Sequence, residues 1–230
     1  MCGRFAQAFK LEEWIDHFQI NHNDTDILKP SYNIAPTHKV PCIVLMDNKR
    51  IIKPMRWGLI PSWEKNSKIG AKYINARKET VKTKPVFKNA FYHRRCIIPA
   101  TGFYEWKKSK HIKQAYFFTL KNNTPMAFAG IWEEWQNSDG DLVNSFSIIT
   151  THANKVVLPV HSRMPILLNP AGYDQWLDID RPDNNFIYQL VADDLMTAYP
   201  VSSFVNKVSN NSPHCIQMSR NHIQKNFMFS

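Results

Sequence analysis

The chain has 230 residues, which is enough for one sizeable core, since β-rich domains commonly run to about 250 residues; a single domain over 1–230 is therefore expected. Hydrophobic residues at 43%, charged residues at 21% and a mean hydropathy of -0.40 exclude a disordered chain, and no apolar run reaches the ~18 residues that a spanning helix needs. The net charge of +10 is regional: residues 49–113 hold 18 Lys/Arg against Glu64, Glu79 and Glu105, whereas residues 116–230 hold 7 Lys/Arg against 10 acids.

The N-terminus shows neither a basic-then-apolar signal peptide nor an Arg-rich presequence, so the chain is expected to work in the cytoplasm from its first residues. Leu11, Trp14, Ile15 and Phe18 fall at i, i+3, i+4 and i+7, which predicts an amphipathic helix over 10–20. Short apolar runs bounded by Pro, Gly and Asn predict strands near 40–46, 51–59, 95–100, 115–120, 126–132, 143–150 and 214–218. Asn169-Pro170 reads as a helix start leading through Tyr173, Trp176 and Leu177, and another helix is expected over Phe186 to Met196. Many strands, few helices and no βαβ alternation point to an α+β fold, mainly antiparallel sheets around a barrel-like core with a few peripheral helices.

Aromatic residues are interleaved with the basic stretch: Trp57, Trp63, Tyr73, Phe87, Phe91, Tyr92, Phe103, Tyr104 and Trp106. Cations for phosphates and flat rings for bases suit single-stranded nucleic acid, unless the rings lie in the core beneath a solvated basic surface. With seven glycines in the whole chain there is no glycine-rich phosphate loop. Cys42, Cys96 and Cys215 lie in apolar or isolated settings without C-x-x-C spacing, as expected of small buried hydrophobes, and neither a metal nor another cofactor is expected. His214, beside Cys215, is a faint metal hint only.

Cys2 is different. If Met1 is removed, Cys2 exposes an α-amine and a thiol two carbons apart. Such a pair condenses with an aldehyde, the amine forming a Schiff base that the thiol closes to a five-membered thiazolidine. With reference pKa values near 8 and 8.5, roughly a tenth of the amine and about 3% of the thiol are nucleophilic at pH 7, and a cationic neighbour such as Arg4 is expected to raise both fractions.

Six motifs accompany it: M-C-G-R-F at 1–5, Y-N-I-A-P at 32–36, W-G-L-I-P-S-W at 57–63, I-N-A-R-K-E-T at 74–80, R-R-C-I-I-P-A-T-G-F-Y-E-W at 94–106 and H-S-R-M-P at 161–165. Together, with V-S-S-F-V-N-K-V at 201–208 as a closing segment, they closely resemble the SOS-response-associated peptidase (SRAP) family. The resemblance implies a protector of abasic sites in single-stranded DNA, damage-response chemistry that crosslinks Cys2 to the ring-opened sugar, self-removal of Met1, and a possible strand-cleaving lyase side activity. It implies Cys2 as nucleophile, Asn75 holding the terminus or the sugar, Glu105 as acid/base and His161 assisting ring opening. It also implies DNA contacts at Arg4, Pro36, Trp63, Arg77, Trp106, Thr150 and Arg163.

The residues support several of these roles independently. Glu105 is the lone acid in T-G-F-Y-E-W-K-K, where aromatic neighbours would desolvate it and raise its pKa, although an ion pair with Lys107 or Lys108 is the alternative. His161 sits in a loop-like stretch suited to a proton shuttle. Arg77 and Arg163 stand two residues beyond proposed catalytic positions and would reach neighbouring phosphates. Trp63 and Trp106 would stack or wedge bases, with core packing as the rival. Glu64 stands where some family members carry a second tryptophan, and His152 follows Thr150-Thr151 where smaller residues are usual. The partner is then single-stranded DNA with abasic sites, reached by a monomer, with replication machinery as a possible further partner. The competing readings are an N-terminal-nucleophile amidase, which would need an ammonia-accepting domain, and a nucleic-acid-binding module that leaves Cys2, Glu105 and His161 unused.

Overall fold

The computed structural model describes residues 2–21, 29–108, 113–180 and 193–219. In chain order the elements are β1 (Arg4–Gln7), α1 (Leu11–Phe18), β2 (Ser31–Ile34), β3 (Lys39–Met46), β4 (Lys49–Trp57), β5 (Asn75–Arg77), α2 (Pro85–His93), β6 (Arg95–Ala100) and β7 (Gly102–Lys108). They continue with β8 (Lys113–Leu120), β9 (Met126–Gln136), β10 (Leu142–His152), β11 (Arg163–Pro165), β12 (Leu167–Leu168), α3 (Tyr173–Leu177) and β13 (Met196–Pro200).

Strands β10, β4, β3, β6 and β9 pair in that order, and β9 pairs back onto β10, closing a five-stranded barrel. Closure removes exposed edges from these strands. Most pairs are antiparallel, but β10 runs parallel to β4 and to the short β5. The β3–β4 hairpin turns on Asp47 and Asn48, both in the left-handed region with φ of 49° and 58°, the two-residue geometry whose twist matches the flanking strands. A second sheet, β13–β8–β7–β1–β2, lies beside the barrel.

Side-chain alternation sorts the barrel into two apolar layers. Cys42, Val44, Cys96, Ile98, Phe128 and Ile148 belong to one, with Trp57 and Phe146 stacked at 6.4 Å and 5°. Their immediate neighbours Ile43, Ile97, Ala129 and Ile149 belong to the other, packed with Trp14 and Phe18 of α1, Phe87 and Phe91 of α2, and Trp176 of α3. Burial on both faces explains why V-P-C-I-V-L and R-C-I-I-P-A read as continuous apolar runs. Gly58, at φ +115°, ends β4; a Cβ there would meet the Gly70 carbonyl oxygen at 2.6 Å, so the W-G-L-I-P loop can lie directly on the 67–72 turn.

Several expectations shift. Where a strand is expected over 214–218, Pro213–Cys215 form a 3₁₀ turn and, among the described residues, a single bridge joins Met218 to Val201, because Pro213 favours a helical turn start and supplies no N–H to a ladder. The helix expected over 186–196 lies mostly outside the described residues; its end, Asp193–Leu195, is a 3₁₀ turn and Met196 opens β13. The Asn169-Pro170 start is present, with Asn169 Oδ1 accepting from Gly172 N at 2.9 Å, but it leads through one 3₁₀ turn into the five-residue α3.

Candidate active site around Cys2

β1 lies between β7 and β2, with Arg4 opposite Tyr104 and Phe5 opposite Phe103. That antiparallel register brings the residues preceding Arg4 alongside Glu105 and Trp106. Cys2 is fully buried, its Sγ 3.7 Å from the Arg4 carbonyl oxygen. Asn75, held on β5 opposite Ile148 of β10, donates Nδ2–H to the Cys2 carbonyl at 2.7 Å. Its Oδ1 is buried without a hydrogen-bond partner among the described residues. His161, in the loop before β11, places Nδ1 3.9 Å from Glu105 Oε1. Cys2, Asn75, Glu105 and His161, spread over 160 positions, thus meet at one corner between the two sheets.

Burial dominates the electrostatics. Glu105 is 4% exposed; desolvation pushes its carboxyl up, opposed by the positive charge of the amino terminus and of His161. The thiol of Cys2 is pushed well above its ordinary value, first by burial and then by the carboxylate of Glu105. Arg4 acts on this thiol through a backbone hydrogen bond, which opposes the rise, and not through the charge of its guanidinium. Arg4 turns its Nη1 to Asn33 Oδ1 at 2.6 Å and the Val205 carbonyl at 3.0 Å, with its guanidinium 5.7 Å from the Trp106 ring centre.

The expected DNA-contact residues divide. Trp106 is half-buried, its Nε1–H bonded to Asn206 Oδ1 at 2.7 Å, and its ring faces the Arg4 guanidinium. Arg77 is exposed on β5 two residues beyond Asn75, and Trp63 is 58% exposed. No hydrogen bond or ring contact joins Trp63 or the half-buried Pro36 to the corner among the described residues. Thr150 is fully buried and donates to the Ala76 carbonyl at 3.3 Å. Arg163 has its guanidinium on the Glu79 carboxylate, 2.7 and 2.9 Å, and on the Thr150 carbonyl, 2.7 Å. His152 Nε2 lies 3.5 Å from Glu79 Oε1, the oxygen that also accepts from Arg163 Nη1. Most of the aromatics interleaved with the basic stretch pack inside: Trp57, Phe87, Phe91, Phe103 and Tyr104 are all buried.

Sequence reasoning missed Asn33, buried inside the Y-N-I-A-P motif. Its amide nitrogen lies 3.1, 3.1 and 2.7 Å from the carbonyls of Val205, Lys207 and Asn210, fastening the closing segment beside Trp106. It also missed Glu79, although this residue stands in the I-N-A-R-K-E-T motif and is one of three acids in the basic stretch. Two cavities of about 540 and 440 Å³ lie elsewhere, against α3 and beside Tyr173, and contain none of the four corner residues.

The family model described as SOS response associated peptidase (SRAP) matches residues 1–208. The chain belongs to the SRAP family. Among SRAP relatives it is 39% identical over 223 residues to the abasic site processing protein YoqW of Bacillus subtilis, covering 94% of this chain and 99% of that one. It is 31% identical to the abasic site processing protein HMCES of Mus musculus, covering 84% of this chain and 66% of that one. A crystal structure of a protein from Bacteroides thetaiotaomicron superposes with a TM-score of 0.85 at 26% identity, covering 95% of this chain and all of that one. The α+β architecture with its closed barrel is thus the SRAP fold.

Proposed function

We propose that this chain processes abasic sites in single-stranded DNA, by joining Cys2 covalently to the sugar aldehyde after Met1 is removed. The observation that carries this reading is the convergence of Cys2, Asn75, Glu105 and His161 on one buried corner. The names of the relatives, which specify abasic site processing, support the substrate.

The protonation states suggest an order of events. Because burial disfavours the Cys2 thiolate, the α-amine attacks the aldehyde carbon first, giving a carbinolamine. Glu105, held protonated more readily than an ordinary glutamate, gives a proton to the departing hydroxyl; one water leaves and a protonated imine forms beside the Glu105 carboxylate. The thiol sulfur then adds to the carbon of the C=N bond, its proton returning to Glu105 while the C=N electron pair goes to nitrogen, which keeps the proton it already carries. One water is released overall, and no oxidant or cofactor is consumed. Before this, the sugar must open: its C1 hydroxyl loses a proton while the ring oxygen gains one, a transfer suited to His161. Asn75 holds the Cys2 carbonyl, and so the angle from which the amine approaches. Arg77, Trp63 and Trp106 are the residues placed to receive phosphates and bases. The single domain works as a monomer in the cytoplasm.

Incubation with a single-stranded oligonucleotide bearing one abasic site should give a DNA-linked band on a denaturing gel, one water lighter than the summed masses of Met1-less protein and DNA. Cys2→Ala should abolish it. Retention of intact DNA with no heat-stable adduct would assign the chain to plain binding instead.

A further inference from the structure

We propose that Glu79 is a positioning residue for His161, acting through Arg163, so that the anion in the basic stretch sets the geometry of the proton shuttle rather than merely balancing surface charge. The inference rests on the function proposed above. Glu79 follows β5 on a turn closed by Thr80 N and Val81 N on the Arg77 carbonyl, 3.0 and 2.8 Å. Its two oxygens take both Nη groups of Arg163, a forked contact that fixes a guanidinium in plane and in rotation. The Arg163 side chain is only 11% exposed and also ties to Thr150 on β10. Three chain segments, the turn after β5, β10 and the start of β11, are thereby pinned at one guanidinium.

The other end of Arg163 is its backbone, which serves His161 in two ways. Its N–H donates to His161 Nδ1 at 3.0 Å, and its carbonyl lies 3.1 Å from the same nitrogen. A backbone amide only donates, so the neutral ring accepts at Nδ1 and carries its proton on Nε2; the protonated ring finds the carbonyl as acceptor. Both protonation states have a partner on one residue, as a group that gains and loses a proton during turnover requires. Glu105 faces the same Nδ1 at 3.9 Å, while Glu79 takes the Arg163 side chain and His152 Nε2 lies 3.5 Å from Glu79 Oε1. Glu79 is pulled down to about 2, chiefly by its hydrogen bonds to Arg163, so the clamp is closed throughout the neutral range.

A second consequence separates this role from a DNA contact. While Glu79 holds Arg163, that guanidinium has little to offer a phosphate; released, it joins the attractive field around the strand. Loss of Glu79 should therefore slow the chemistry without weakening DNA binding.

The test compares the parent protein with Glu79→Gln and Glu79→Asp. Adduct formation is followed at saturating protein on an abasic single-stranded oligonucleotide, affinity for an undamaged oligonucleotide is measured by fluorescence anisotropy, and long-range proton–nitrogen NMR reads the His161 tautomer. Glu79→Gln should lower the saturating rate at least about tenfold, leave Kd unchanged or tighter, and mix the two tautomers; Glu79→Asp should recover part of the rate. Should Glu79→Gln fold poorly by its thermal midpoint, Arg163→Lys, which keeps the charge but loses the fork, must show the same slow rate and tautomer mixing. A Glu79→Gln rate within twofold of the parent, or a rate loss matched by weaker DNA binding with the tautomer unchanged, overturns the inference. Failure of the unsubstituted protein to form any adduct would instead sink the functional reading beneath it.

Discussion

Two regions of this molecule bury their side chains almost completely and use that burial for opposite ends. Between the barrel and its helices, Ile43, Ile97, Phe91 and Trp176 exclude water and carry no charge, so burial there contributes to stability in rough proportion to apolar area. At the corner around Cys2, the same dryness surrounds a carboxyl and a thiol and is paid for by raising both groups away from their charged forms. The difference teaches where stability and chemistry separate in this fold. The helical side can be damaged without touching a proton, and the corner can be neutralised without unpacking a ring.

The largest expected effect lies on the first side. Phe91, 1% exposed and edge-on to Trp176 at 6.2 Å, belongs to the helix-covered layer, and Cys2 belongs to the other. Phe91→Ala should lose about 3–5 kcal/mol of unfolding free energy in urea, while the saturating adduct rate of the folded fraction stays within a few-fold. A collapse of that rate at temperatures where the variant is folded would show that the two regions are not separable.

Glu105→Gln probes the other side. It removes the acid proposed to hand a proton to the leaving hydroxyl while keeping size and shape, so the adduct rate should fall by at least about 100-fold. The stability sign is worked out from the raised carboxyl. The folded state binds this proton more tightly than the unfolded one, so parent stability declines as pH rises from the ordinary carboxylate range towards the raised folded value. The Gln variant should lack that decline and be at least as stable as the parent at neutral pH; urea titrations at several pH values read both.

Much of this division was legible in the sequence, for physical reasons that differ by region. β3 and β6 announce themselves as continuous apolar runs because both faces are buried. The α1 stripe is visible because one face of a helix repeats every three to four residues. α2 carried a comparable signal in Phe87, Ala90 and Phe91, but spread over only nine residues between lysines and histidines. The corner was legible through motif residues, since chemistry constrains residue type as well as polarity. What no local pattern holds is the pairing of distant charges. Arg4 looked like a neighbour that would activate Cys2, yet its guanidinium is turned to Asn33 and Val205. Arg163 looked free for phosphate, yet Glu79, 84 positions away, takes it. Such pairings follow from sheet register and loop closure, which become visible only when the chain is folded.

The smallest effect sharpens the comparison from the acid side, because Glu79 is displaced in the direction opposite to Glu105. Its carboxyl lies at about 2 in the fold, held there chiefly by Arg163, against an ordinary value near 4.5. A depressed carboxyl binds its proton more weakly folded than unfolded, so its stabilisation is full above about pH 4.5 and disappears as pH falls towards 2. The side chain is 41% exposed, so solvent and salt screen much of this contribution. Thermal midpoints of the parent and of Glu79→Gln, measured from pH 7 down to 2, should therefore lie modestly apart at neutral pH and converge in acid. Divergence towards acid would mean that Arg163 gains its hold from another partner, and the clamp at the edge of the corner would lose its electrostatic basis.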